Sequence, residues 1–183
     1  GRAARAIEAC PAPPGRFVAV SDIHFDPFDP PGFARALAGL DPADWMARFA
    51  TLPPGPAWQY GSDTNHVLLS AALAMLREIG PDADFAVYSG DLLSHGFEED
   101  AAKALGVAVD SREQQAFAEA TSIFVGGALG EAFAGKPVFV ALGNNDSACG
   151  DYEVEPGGPY LSATAATVRR LARAGRVAAD LDA

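Results

Sequence analysis

Histidine and cysteine are scarce in this chain of 183 residues: it has three histidines, none beyond residue 95, and two cysteines. Positive charge is also short, with 13 Lys and Arg against 24 Asp and Glu and a formal net charge of −11. That balance excludes non-specific binding to nucleic-acid phosphates, which needs a basic surface. No stretch approaches the roughly 18 consecutive apolar residues of a membrane-spanning helix, so no transmembrane segment is expected. Cys10 and Cys149 can be one disulfide or two separate thiols, and the sequence leaves both open. The opening GRAARAIEACPAPPG has no apolar signal-peptide core, so a secretory signal has been removed or was never there; an extracytoplasmic location is favoured over a cytoplasmic one.

What is present is enough for a globular core, with 49% apolar and 20% charged residues. The charge is unevenly placed. Residues 17–166 hold 21 acidic and 6 basic side chains, whereas the arginines at 2, 5, 16, 169, 170, 173 and 176 make both ends basic. A negative field of this kind is ordinarily a solvated surface, but it also suits an oxygen-rich cation site.

Three runs, RFVAVS (16–21), DFAVYS (84–89) and KPVFVA (136–141), are short, apolar and rich in β-branched residues. None alternates apolar with polar, so each is expected to be a strand buried on both faces. Between the first two, Asp63 or Thr64 is expected to cap a helix with Val67, Ala71, Met75, Leu76 and Ile79 on its apolar face, stopped by Gly80-Pro81. Between the second and third, residues 111–133 place Phe117, Ala120, Phe124, Ala128 and Phe133 at helical spacing, with Gly126-Gly127 as a possible break. The alternation of strand and helix predicts an α/β fold with a parallel sheet and right-handed crossovers. Residues 29–56 are expected to be a surface cover of loop and two short helices, and residues 169–182 a last amphipathic helix with solvated arginines.

Each strand is followed by a polar cluster, and ligands of open α/β sheets sit beyond the carboxyl ends of the strands. After the first comes SDIHFDP, with Asp22 and His24 two apart on an extended segment and therefore on one side. After the second comes YSGDLLSHG, with Asp91 after Gly90; after the third comes LGNNDS, with Asn144, Asn145 and Asp146 after Gly143. Carboxylate, imidazole and amide oxygen suit Mn, Fe or Zn better than soft ions. Two ions roughly 3.5–4 Å apart need a bridging carboxylate, and the central Asp91 is placed for it. Gly90 and Gly143 let the backbone turn sharply there.

SDIHFDP, SGDLLSH and GNND resemble the first three blocks of the calcineurin-like metallophosphoesterases, over about residues 16–151. His95, four residues after Asp91, and the GNND block are similar to the acid sphingomyelinase and endopolyphosphatase branch. The resemblance implies a β-sandwich flanked by helices (αββα), of which this chain would hold mainly the N-terminal part: a lead at 1–15, then the domain at 16–183 with an insertion at about 29–60. It also implies a hydrolase of phosphodiester or phosphoanhydride bonds that uses two divalent metal ions and a metal-activated water. Asp22 and His24 would hold the first metal, Asp91 would bridge, and Asn144 would bind the second. His95 would lie near the substrate phosphate, while His66 is read as a helix-face residue. Expected substrates are phosphate-containing small molecules, lipid headgroups or polyphosphate.

Two departures from the family stand out. Most members have His where Asn145 stands, as the group that protonates the leaving oxygen; an amide cannot do so, and the work shifts to His95. The family also completes its metal shells with a later His and a Gly-His-x-His block, for which this chain has no residues. The ligands then lie in a longer protein, come from another chain, or are lost. The ending AADLDA, without a further strand pattern, favours the first. The alternative function is a catalytically incomplete metal-binding or scaffold module. Trp45, Trp58 and Tyr60 either line a cleft or, as favoured here, pack the insertion onto the domain.

Overall fold

A computed structural model of the protein describes residues 15–57, 60–153 and 155–174. The three apolar runs form β1 (Phe17–Val20), β2 (Phe85–Tyr88) and β3 (Val138–Val140), all parallel, in the order β1-β2-β3. Val20 pairs with Tyr88 and Tyr88 with Val140, so the three strands end at one level and release their polar loops side by side. Between β1 and β2 run α1 (Ala34–Ala38), α2 (Trp45–Phe49) and α3 (His66–Ile79). Between β2 and β3 run α4 (Phe97–Leu105) and α5 (Arg112–Ala132), and α6 (Pro159–Arg173) follows β3.

One face of the sheet, with Ala86, Tyr88 and Val138, is buried. The other carries Phe17, Phe85 and Phe139, whose rings pack on one another at 5.4 and 5.8 Å while Phe17 stays 59% exposed. The expectation of strands buried on both faces therefore holds on one face only among the described residues. Their uniformly apolar sequence is suited to cover on both.

The α3 face differs from the expected one. Leu69, Leu73 and Leu76 are buried, whereas Met75 and Ile79 are exposed. The helix is apolar on almost every side, so two stripes compete in the sequence, and packing selects the one with the larger branched side chains. Its cap is Asn65, which accepts from the Leu68 N–H at 3.0 Å, rather than Asp63 or Thr64. Helix α5 passes through Gly126-Gly127 unbroken, because α6 lies close against it: a Cβ at Gly126 would meet Thr167 Cγ2 at 3.0 Å. The last helix begins at Pro159, ten residues before the expected start, with its arginines at 169, 170 and 173 exposed; residues 175–182 of the expected helix lie outside the described residues. Helix α4 was not anticipated, being short, with charge at four of its nine positions (FEEDAAKAL) and Phe97, Ala101 and Ala102 as its buried residues.

Within the insertion, Trp45 is fully buried, with its ring 5.4 Å from both Phe117 and Phe124 of α5. It anchors the insertion and lines no cleft. Tyr60 is 93% exposed, and Trp58 lies outside the described residues.

The loops beyond the strands are laced by main-chain bonds. Asp22 N–H donates to Gly90 O at 3.0 Å, His24 to Asp91 O at 2.9 Å and Phe25 to Leu92 O at 2.8 Å. Thr64 donates to His24 O and accepts from Asp26 N–H, both at 2.9 Å, which draws the end of the insertion into the same ladder. The third loop is joined through Asp146, which is 5% exposed. Its Oδ2 accepts from Asp91 and Gly143 N–H, both at 2.9 Å, and its Oδ1 from Leu92 at 2.7 Å and Leu93 at 3.2 Å.

Replacing Asp146 by Ala leaves four N–H donors unpaired at once, two of them buried and two partly buried. We expect a loss of about 3–5 kcal/mol in stability, measured by denaturant unfolding without added metal. A loss below about 1 kcal/mol would mean that water or another group replaces the carboxylate.

Candidate metal centre

Asp22 and His24 do not lie on the extended backbone expected of them, and Asp91 shares their conformation. Their φ angles are +55°, +44° and +64°, in the left-handed region that non-glycine residues seldom occupy. Six non-glycine residues have positive φ among the described residues, and half of them are these three. Such strain persists where surrounding structure enforces it, here the ladder and Asp146. The glycines act differently from one another. Gly90 has φ +116°, and a Cβ on it would meet Gly143 N at 2.5 Å. Gly143 has no positive φ and is needed for proximity, because a Cβ there would overlap Asp91 Oδ1.

The turned backbone aims the three side chains at one point. One ligand atom from each of Asp22, His24 and Asp91 lies within 4.8 Å of the others. His24 Nε2 stands 3.8 Å from Asp22 Oδ1 and 4.0 Å from Asp91 Oδ2. His24 Nδ1 lies 3.2 Å from Leu93 O, a pairing that gives Nδ1 the proton and leaves Nε2 as the lone-pair nitrogen. Asp91 divides its oxygens: Oδ2 faces His24, and Oδ1 accepts from Asn145 N–H at 2.9 Å.

Tyr88, buried at the end of β2, donates its hydroxyl to Asp91 O at 2.8 Å and accepts from Ile23 N–H at 3.2 Å, clamping the first two loops. Burial holds its phenol well above the ordinary range, so it stays protonated. Burial also pushes the Asp146 carboxyl up, against the opposing pull of its four N–H donors. Asp26, beside the ladder, is raised first by burial and further by the charges of Asp29, Asp100 and Asp63. The region is acidic, as the charge distribution indicated.

In the third loop Asn144 is exposed and Asn145 is 2% exposed. Asn144 Nδ2 donates to Asn145 Oδ1 at 2.8 Å, which leaves Asn144 Oδ1 as its open oxygen, while Asn145 Nδ2 is buried without a hydrogen-bond partner. His95 lies beside the cluster, its ring stacked on that of His24 with centroids 4.2 Å apart and planes 12° from parallel. His95 Nδ1 meets Asp63 Oδ1 at 2.9 Å, and its backbone N–H donates to Asp63 Oδ2 at 3.0 Å. His24, Asp63 and His95 form a second group with ligand atoms within 4.8 Å. His66 lies apart, stacked on Phe49 at 5.2 Å.

Sequence reasoning located Asp22, His24, Asp91, Asn144, Asn145 and His95 in this region, and missed Asp63, Tyr88 and Asp146 as its supports. Asp146 stood in the motif itself; Asp63 carried no signal beyond its resemblance to a helix cap. Two carboxylates and an imidazole with an open nitrogen fit a divalent cation, and Asn144, next to the residue whose N–H meets Asp91, is exposed with its amide oxygen open.

Among the described residues no helix is long and apolar enough to cross a membrane. The sequence is 28% identical over 132 residues to mouse acid sphingomyelinase-like phosphodiesterase 3b, covering 72% of this chain and 25% of that protein. It is 26% identical over 138 residues to the human protein of the same name, covering 74% and 26%. The chain thus spans about a quarter of the length of these curated relatives. With the three polar loops in the expected order and a match over residues 15–177, the chain belongs to the calcineurin-like phosphoesterase family.

Proposed function

We propose that the protein hydrolyses phosphoester bonds with a dinuclear divalent-metal centre, and that this chain supplies the first part of it. The observation that carries the reading is the convergence of Asp22, His24 and Asp91 within 4.8 Å where the parallel strands end. Asp22 and His24 would hold the first ion, Asp91 would serve both, and Asn144 would offer its amide oxygen to the second. Support for a bridging Asp91 comes from its divided oxygens, one toward His24 and one toward the third loop. The ions, Zn, Mn or Fe, would supply charge neutralisation at the phosphate and an activated water.

The chain's own residues do the rest. A water oxygen forms the new bond to phosphorus as the leaving group's P–O bond breaks and leaves its electron pair on oxygen; that oxygen takes a proton from Nε2 of His95 in its imidazolium form, which returns the ring to the neutral form with its proton on Nδ1. Asn145 cannot provide that proton: its side chain is a buried amide. The bond broken is a phosphodiester or phosphoanhydride, and the phosphodiesterase relatives support the former. The substrate is a phosphate-bearing small molecule, lipid headgroup or polyphosphate. Residues 1–15 are a lead and 16–183 the domain, with its insertion at about 29–60. The buried amide of Asn145, which cannot give a proton, favours a second reading, a metal-binding module without turnover.

In the protein expressed from its complete reading frame, Asp91→Ala should abolish hydrolysis of a chromogenic phosphodiester and remove bound metal, while His66→Ala leaves both near wild type. Retention of more than about a tenth of the activity with unchanged metal content would remove Asp91 from the bridging position.

For the 183-residue chain alone, elemental analysis should find at most one tightly held divalent ion, because this reading assigns just Asp91 and Asn144 among the described residues to the second. Two tightly bound ions with steady, chelator-sensitive turnover would show that other residues complete the site.

His95→Ala should slow substrates with alkoxide leaving groups at least about tenfold more than nitrophenyl esters, whose leaving group needs little protonation. An equal loss for both would take His95 out of the acid role.

A further inference from the structure

We infer that Asp63 is a positioning residue for His95, holding the imidazole through a two-point carboxylate clamp with Nδ1–H bound and Nε2 open. The inference rests on the reading of His95 given above and names the residue through which it acts. His95 is 63% exposed, and an exposed histidine with no partner samples several rotamers. Here the ring is restrained from two directions. Asp63 Oδ2 accepts the residue's own backbone N–H at 3.0 Å and Oδ1 lies 2.9 Å from Nδ1, so one carboxylate fixes both the main chain and the ring. The face of the ring lies against His24 at 4.2 Å. A carboxylate accepts only N–H, so the Nδ1 contact assigns the proton to Nδ1.

Asp63 reaches His95 from 32 residues away because Thr64 is stitched to His24 and Asp26 in the site ladder. The placement therefore belongs to the architecture of the metal loops rather than to a surface ion pair. A competing use of the same residues is a metal ion shared by His24, Asp63 and His95. The stack argues against it: in-plane lone pairs of two rings 12° from parallel do not converge on one ion.

Three measurements test the inference. Long-range proton–nitrogen NMR at alkaline pH, where imidazoles are neutral, reads ring tautomers, and with three histidines in the chain each is assignable by substitution. In the wild-type chain His95 should carry its proton on Nδ1, and Asp63→Ala should shift the population toward Nε2–H; a wild-type His95 without a proton on Nδ1 overturns the inference. In the complete protein, Asp63→Ala should reproduce the His95→Ala pattern. It should lower kcat for alkoxide substrates about tenfold or more relative to nitrophenyl esters, and add little when combined with His95→Ala. A loss equal for both leaving groups, or fully additive in the double variant, overturns the clamp while leaving the role of His95 standing. A His95→Ala protein without leaving-group selectivity brings down both. Metal content should be the same in Asp63→Ala, His95→Ala and wild type, and a loss matching that of Asp22→Ala would assign the pair to an ion instead.

Discussion

The site depends on one buried carboxylate. Asp146 accepts four main-chain N–H groups, one from its own loop and three from the loop that follows β2. Loops at neighbouring strand ends otherwise have little reason to touch, since their backbones are polar and prefer water. A single charged acceptor with two oxygens satisfies donors from both, which brings Gly143 against Gly90 and Asp91 at distances no Cβ would allow. Because Asp91 N–H is one of the four donors, the same interaction imposes the left-handed backbone that turns its side chain inward. The first loop is then set by the second, through the hydrogen bonds from Asp22, His24 and Phe25 and through the Tyr88 hydroxyl. Geometry flows from the third loop to the second and on to the first.

Much of the fold was legible because its elements are marked by local signals. The strands are short β-branched runs between turn residues, and Ser111 caps α5 as its position before a periodic segment suggests. What was lost is what only packing decides. The leucine stripe of α3 competes with a second apolar stripe in the same helix, and burial by larger side chains resolves it. The glycine pair in α5 carries the composition of a break, yet Gly126, like Gly130, serves a close contact with α6, while Gly127 faces open space. The start of α6 at Pro159 was hidden because YLSATAATV is weakly periodic, with Tyr160, Thr164, Thr167 and Leu171 as its inner face. Two of those four are threonines, and a hydropathy pattern does not count them.

At the site, the residues legible in sequence are those directly following strands, where position alone predicts convergence. Asp22, His24 and Asp91 do converge, although Asp22 and His24 do so from left-handed rather than extended backbone. An extended segment would have put two alternate side chains on one side, and the left-handed residues reach a similar convergence by another route. Asp63 was illegible because its partner lies 32 residues away and the segment between them includes α3 and β2. Only the isolated pairing of Phe25 with both Thr64 and Leu93 makes the two neighbours. No spacing rule in the chain encodes a bridge of that kind.

The side chain at Asn145 illustrates how the scaffold and the chemistry separate. What the scaffold takes from this position is a main-chain N–H, donated to Asp91 Oδ1, and every residue except proline supplies one. The side chain is therefore free to change without loosening Asp91. An amide there receives Asn144 Nδ2 at 2.8 Å, which leaves the Asn144 oxygen open. On the proposed reading, proton transfer then falls to an imidazole on the second loop that has a carboxylate of its own. Loops held in this way, two by one acceptor and the first through the second, can redistribute roles, because the bonds that fix the backbone and the groups proposed to meet the substrate are different atoms.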